Sequence, residues 1–133
     1  MKKVISLIMA ICLMFSFVVC VSAAKELYTL KSQMNAFVIS SNGVATIQYG
    51  YEFDASTTGV TVNVLLEKRT VIFFWKDVES WTITCSDSYL VDVIQYQLTK
   101  SGTYRCTIVY EVTNTDGTTE THEYQKEVEY DPA

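Results

Sequence analysis

Apolar and polar residues alternate with a period of two through most of the chain. Val60, Val62, Val64 and Leu66 interleave with Thr61, Asn63 and Leu65. Tyr104, Cys106, Ile108, Tyr110 and Val112 share one parity further on. A period of two places alternate side chains on opposite faces of a pleated strand, and no stretch sustains the 3.6-residue period of an amphipathic helix. Turn signals cut the pattern into seven predicted strands, at about 27–39, 44–53, 60–66, 73–85 (interrupted near Asp77), 89–98, 103–113 and 119–130. The breaks are Ser40-Ser41-Asn42-Gly43, the polar loop from Asp54 to Gly59, Glu67-Lys68-Arg69-Thr70, Ser86-Asp87-Ser88, Lys100-Ser101-Gly102 and Asn114-Thr115-Asp116-Gly117. Of these, the last is the strongest hairpin signal. Seven short strands with turns at this spacing predict an all-β, two-sheet antiparallel sandwich, with a small barrel as the alternative.

The first 24 residues follow a different pattern. Lys2 and Lys3 precede an apolar run from Val4 to Val21, and Val21-Ser22-Ala23-Ala24 supplies small residues for cleavage. This is the layout of a helical secretory signal peptide cut after Ala23 or Ala24, which predicts a secreted or extracellular protein. An uncleaved N-terminal anchor and lipid attachment at Cys20 are the rival readings. In each case residues 25–133 are the folded domain, and any membrane contact runs through the leader.

Composition supports the division. Of the 109 residues that follow the leader, 28 are valine or threonine, whose branching at Cβ suits a sheet. Loss of Lys2 and Lys3 takes the formal charge from −5 to −7, which argues against binding to a nucleic-acid backbone. Two of the four cysteines, Cys12 and Cys20, lie in the leader. Cys85 and Cys106 remain, and an even pair in an exported chain predicts one disulfide. Two free thiols, or pairing with another chain, are the alternatives.

The run Ser101-Gly102-Thr103-Tyr104-Arg105-Cys106 resembles the start of an immunoglobulin F strand. There a tyrosine two residues before a cysteine forms the tyrosine corner, its buried hydroxyl bonded to nearby backbone. The resemblance assigns that place to Tyr104. It does not extend to the usual inter-sheet disulfide, because the second predicted strand has no cysteine. Val62 to Lys68, Trp75 to Trp81, Leu98 to Arg105 and Asp116 to Thr121 together are similar to small secreted immunoglobulin/fibronectin-III-like proteins of Gram-positive, clostridial-type bacteria. The resemblance implies an immunoglobulin-like sandwich of bacterial origin and transfers no catalytic residue.

Candidate chemistry is sparse. His122 is the sole histidine and sits on a polar strand, where exposure is the expectation. A nucleophile would have only this imidazole as base, so a small hydrolase is a remote alternative. Asn114-Thr115-Asp116-Gly117 is a fragment of a calcium loop, and no metal or other cofactor is expected from it. Phe73, Phe74, Trp75 and Trp81 are the best functional lead, since adjacent apolar residues occupy both faces of one strand. They form the candidate binding surface of a binding or structural module that acts through a sheet face or edge, with a protein or glycan at the cell surface as partner. In the glycan version Trp75 and Trp81 form a sugar platform. Otherwise at least one of them is the core tryptophan of the sandwich.

Overall fold

The computed structural model describes residues 30–53 and 57–132, and every regular element among them is a strand. The expected leader, residues 1–24, lies outside the described residues. Eight strands form two antiparallel sheets: β1 Leu30–Gln33, β2 Ala36–Ile39, β3 Val44–Phe53, β4 Thr57–Val71, β5 Phe74–Cys85, β6 Tyr89–Gln97, β7 Gly102–Asn114 and β8 Thr119–Tyr130. In one sheet β3 is central, with β6 along one edge and β1 and β2 end to end along the other. The second sheet has the order β5-β4-β7-β8.

The core lies between the sheets and is built by the alternation seen in the sequence. Ile47, Tyr49, Tyr51 and Phe53 of β3 face Val60, Val62, Val64 and Leu66 of β4 and Tyr104, Cys106, Ile108, Tyr110 and Val112 of β7, all of them buried. Four of these are tyrosines, and each phenol reaches a partner at the rim or across the core. Tyr49 donates to Asp92 at 3.2 Å, Tyr51 to the Asp87 carbonyl at 3.1 Å and Tyr104 to the Lys100 carbonyl at 2.6 Å. The Tyr104 bond loops back four residues from the start of β7 to the connection before it. A buried hydroxyl left unpaired costs about 1–3 kcal/mol, so each tyrosine is fixed by its partner as well as by packing.

Three sequence expectations change. The first predicted strand is broken at Met34 and Asn35, which gives eight strands instead of seven. Glu67-Lys68-Arg69-Thr70 is no turn: β4 continues through it to Val71, and the chain reverses at Ile72 and Phe73. The interruption near Asp77 is a bulge within a continuous β5, where Leu66 pairs with Glu79 and Glu67 with Asp77, leaving Val78 as the extra residue.

The predicted disulfide is also corrected, since Cys85 and Cys106 are free thiols. Both flank β4, but Cys85 pairs with Val60 and Cys106 with Leu66, six positions apart. At about 3.3 Å per residue this is roughly 20 Å along the strand, with two strand spacings to cross as well. A disulfide spans at most about 7 Å between Cα atoms.

Candidate functional site

Sheet β5-β4-β7-β8 is longer than the core it covers, and the surplus is the β4–β5 hairpin. The ladder between these strands holds to its end, with Arg69 opposite Trp75 and Val71 opposite Phe74. The apolar residues at its tip are in solvent: Val71 is 60% exposed, Ile72 75%, Phe73 85% and Phe74 68%. Scattered exposed apolar residues are ordinary, but four consecutive ones on a projecting hairpin make a contiguous patch. The sequence singled out Phe73 and Phe74 and missed Val71 and Ile72, which join them only because the turn falls at 72–73.

Trp75 and Trp81 separate from that patch. Trp75 is partly buried on the outer face of the sheet, with two guanidinium groups against its ring. The Arg105 and Arg69 carbons lie 4.2 Å and 5.0 Å from its ring centroid. Arg105 is held by Glu67, with its Nε and Nη2 3.1 Å and 2.9 Å from one carboxylate oxygen, and Arg69 reaches Glu127 at 3.3 Å. These charge-assisted bonds fix the cations over the indole. Trp81 is partly buried against the core, edge-on to Tyr96 with centroids 6.0 Å apart. The four sequence candidates therefore divide into two exposed phenylalanines and two engaged tryptophans.

On the inward face of the same hairpin lies a polar cleft of about 340 Å3. Residues opposite one another in an antiparallel ladder project to the same side. Lys68 pairs with Tyr104 on one side and Lys76 on the other, so both lysines share the core-facing side of the sheet. Here the second sheet has ended and they meet solvent. Lys100 joins them from the β6–β7 connection, and Tyr96, Leu98 and Tyr104 form the apolar wall. Gly102, at φ +148°, leaves room for the Lys68 stem, since a Cβ there would sit 2.7 Å from Lys68 Cε. Asp77 is the one acid on the lining. No acid among the described residues forms an ion pair with Lys68, Lys76 or Lys100. The sequence hid this cluster, because residues 67–70 read as an ordinary polar turn.

His122 overturns its expected exposure. It is 6% exposed, on the inward face of β8, with its ring 5.7 Å from that of Phe53. Glu120 and Asn114 are buried beside it, with Nε2 of His122 3.5 Å from Glu120 and the Asn114 amide 3.4 Å from the same carboxylate. The acidic strand looked polar on both faces, yet its even positions point into the sandwich. Among the described residues no three histidine, cysteine or carboxylate groups gather as a metal site would require. Comparison with known proteins gave no match, either to a protein-family model or to a curated protein.

Proposed function

We propose that the chain is an exported binding module of immunoglobulin-like fold, acting by contact rather than catalysis, and that the β4–β5 hairpin is its contact element. The observation that carries this reading is the apolar tip, Val71 to Phe74, held in solvent by a ladder that continues, through two irregularities, to the Val71–Phe74 pair. Keeping such residues exposed favours association and offers the isolated fold nothing. The connectivity supports the fold assignment: β6 returns beside β3 in one sheet and β7 beside β4 in the other, as in Greek-key sandwiches. The Tyr104 hydroxyl bond to Lys100 supports it independently. A protein or envelope surface fits the tip better than a glycan, because guanidinium groups cover the Trp75 ring and Trp81 packs against Tyr96.

The test is co-sedimentation of the native chain and an Ile72→Ser/Phe73→Ser variant with cell-envelope material from a clostridial-type Gram-positive bacterium. The native chain should sediment with the envelopes and the variant should stay in the supernatant. Equal sedimentation of the two would remove the hairpin from the contact.

A further inference from the structure

The apolar tip and the lysine cleft occupy the same end of the molecule, and together they specify a partner. We propose that the β4–β5 hairpin docks on an anionic phospholipid bilayer, with Ile72 and Phe73 entering the acyl boundary and Lys68, Lys76 and Lys100 taking the phosphate of a headgroup. This rests on the reading of the hairpin as contact element and names its surface, a membrane contact that the sequence alone placed only in the leader.

Charge carries the first part of the argument. The chain has a formal charge of −5, yet three of its ten basic residues line one cleft without an acid partner among the described residues. Lys68 and Lys76 stand directly opposite each other, an arrangement that repels in a bare ladder and that an anion between them would relieve. The cationic groups that lie nearest on the other face, Arg69 and Arg105, are already committed to Glu127 and Glu67. Of the five lysines among the described residues, three therefore bring their charge to this cleft against the single acid Asp77, while Lys31 and Lys126 are not on its lining.

Chemistry of the tip carries the second. Isoleucine and phenylalanine at the extremity, a tryptophan behind the Val71–Phe74 pair and lysines beyond it follow the order of groups across a lipid interface: acyl chains, the ester carbonyls, then phosphate. Each lysine near an anionic leaflet strengthens partition several-fold, so three give roughly a hundredfold preference for anionic over neutral lipid.

The experiment uses the full chain carrying Trp81→Phe, which leaves Trp75 as the only tryptophan. The apolar run of residues 4–21 contains no tryptophan and is common to every variant, so a difference between variants reports on the hairpin. Vesicles of brominated phosphatidylglycerol or brominated phosphatidylcholine quench a tryptophan that reaches the acyl boundary. Phosphatidylglycerol should quench Trp75 at roughly a hundredfold lower lipid concentration than phosphatidylcholine. The difference should shrink in high salt, disappear in Lys68→Gln/Lys76→Gln/Lys100→Gln and return in the matching triple Arg variant. Near-ultraviolet circular dichroism identifies any variant that fails to fold. Equal quenching by the two lipids, or an unchanged preference in the triple Gln variant, overturns the proposal. Tip-dependent sedimentation with envelopes but no lipid preference would leave the hairpin as contact element and discard the bilayer. Tip-independent sedimentation would discard the broader reading.

Discussion

The hydroxyl of Tyr110, on one sheet, accepts the backbone N–H of Gly50, on the other, at 3.1 Å. The bond sits where β1 ends and β2 begins. Met34 donates to the Gly50 carbonyl there at 3.0 Å, but no residue of β1 or β2 pairs with Gly50 to take its N–H. The phenol fills that gap and donates its own O–H to the Asn35 side-chain oxygen, so one tyrosine satisfies the break in the edge strand from across the core.

Tyr110→Phe should therefore be among the more costly single-atom changes in the protein. It strands a buried N–H, for which a loss of about 1–3 kcal/mol is expected from urea denaturation. Tyr104→Phe removes a shorter contact, 2.6 Å, but the Lys100 carbonyl it frees lies in an exposed connection that water can reach. The expected loss there is about 0.5–1.5 kcal/mol. A larger cost for Tyr104→Phe than for Tyr110→Phe would contradict this account.

Stability should fall on the alkaline side. Burial pushes the phenols of Tyr49 and Tyr110 up to about 12, with the Asp92 carboxylate adding to the effect at Tyr49. Burial also lifts the Cys106 thiol to about 12 and raises Tyr51 and Tyr104. Each is an acid whose neutral form is favoured by the fold, so its pKa in the folded state lies above that in the unfolded chain. Their contribution is complete below the unfolded values, near 8.5 for the thiol and 10 for the phenols, and is lost as pH rises through the folded ones. The urea midpoint, followed from pH 8 upward, should hold and then drop between about pH 9 and 12, with tyrosinate absorbance rising together with unfolding. Phenols that ionise near 10 while the fold persists would refute the assignment.

Alkylation should separate the two cysteines. Cys106 has no exposed surface and Cys85 is partly exposed. Peptide mapping after treatment of the native protein should find Cys85 modified and Cys106 protected until denaturant is added. A peptide joined through Cys85 and Cys106 would require a different strand register.

The tip should contribute nothing to stability. Ile72→Ser with Phe73→Ser should shift the unfolding free energy by no more than about 0.5 kcal/mol. Leu66→Ala, on the same β4 strand but with a fully buried side chain, should cost about 2–5 kcal/mol. A comparable loss in the tip variant would mean that these side chains pack against the sandwich.

Much of this architecture is legible in the chain because period-two burial writes directly into residue choice. β3 and β8 occupy 44–53 and 119–130 as the turn residues on either side indicate. The failures share a cause. Glu67 to Thr70 looks like a connection because it is polar, but its polarity has two other origins: Glu67 pairs with Arg105 on the outer face, and Lys68 faces a cleft the second sheet does not cover. His122 and Glu120 mislead in the opposite sense, since their side chains are polar and yet buried together. Strand identity depends on spacing along the chain. The site depends on where one sheet outlasts the other, and that is a relation between distant segments.

The hairpin is paired to its final rung, Val71 with Phe74. The backbone that carries the tip side chains is thus ordered before any partner arrives, and little backbone ordering entropy is surrendered on contact, unlike for a loop that must fold as it binds. Association through such an element is a rigid-body event, with a rate set by encounter and orientation rather than by a conformational search.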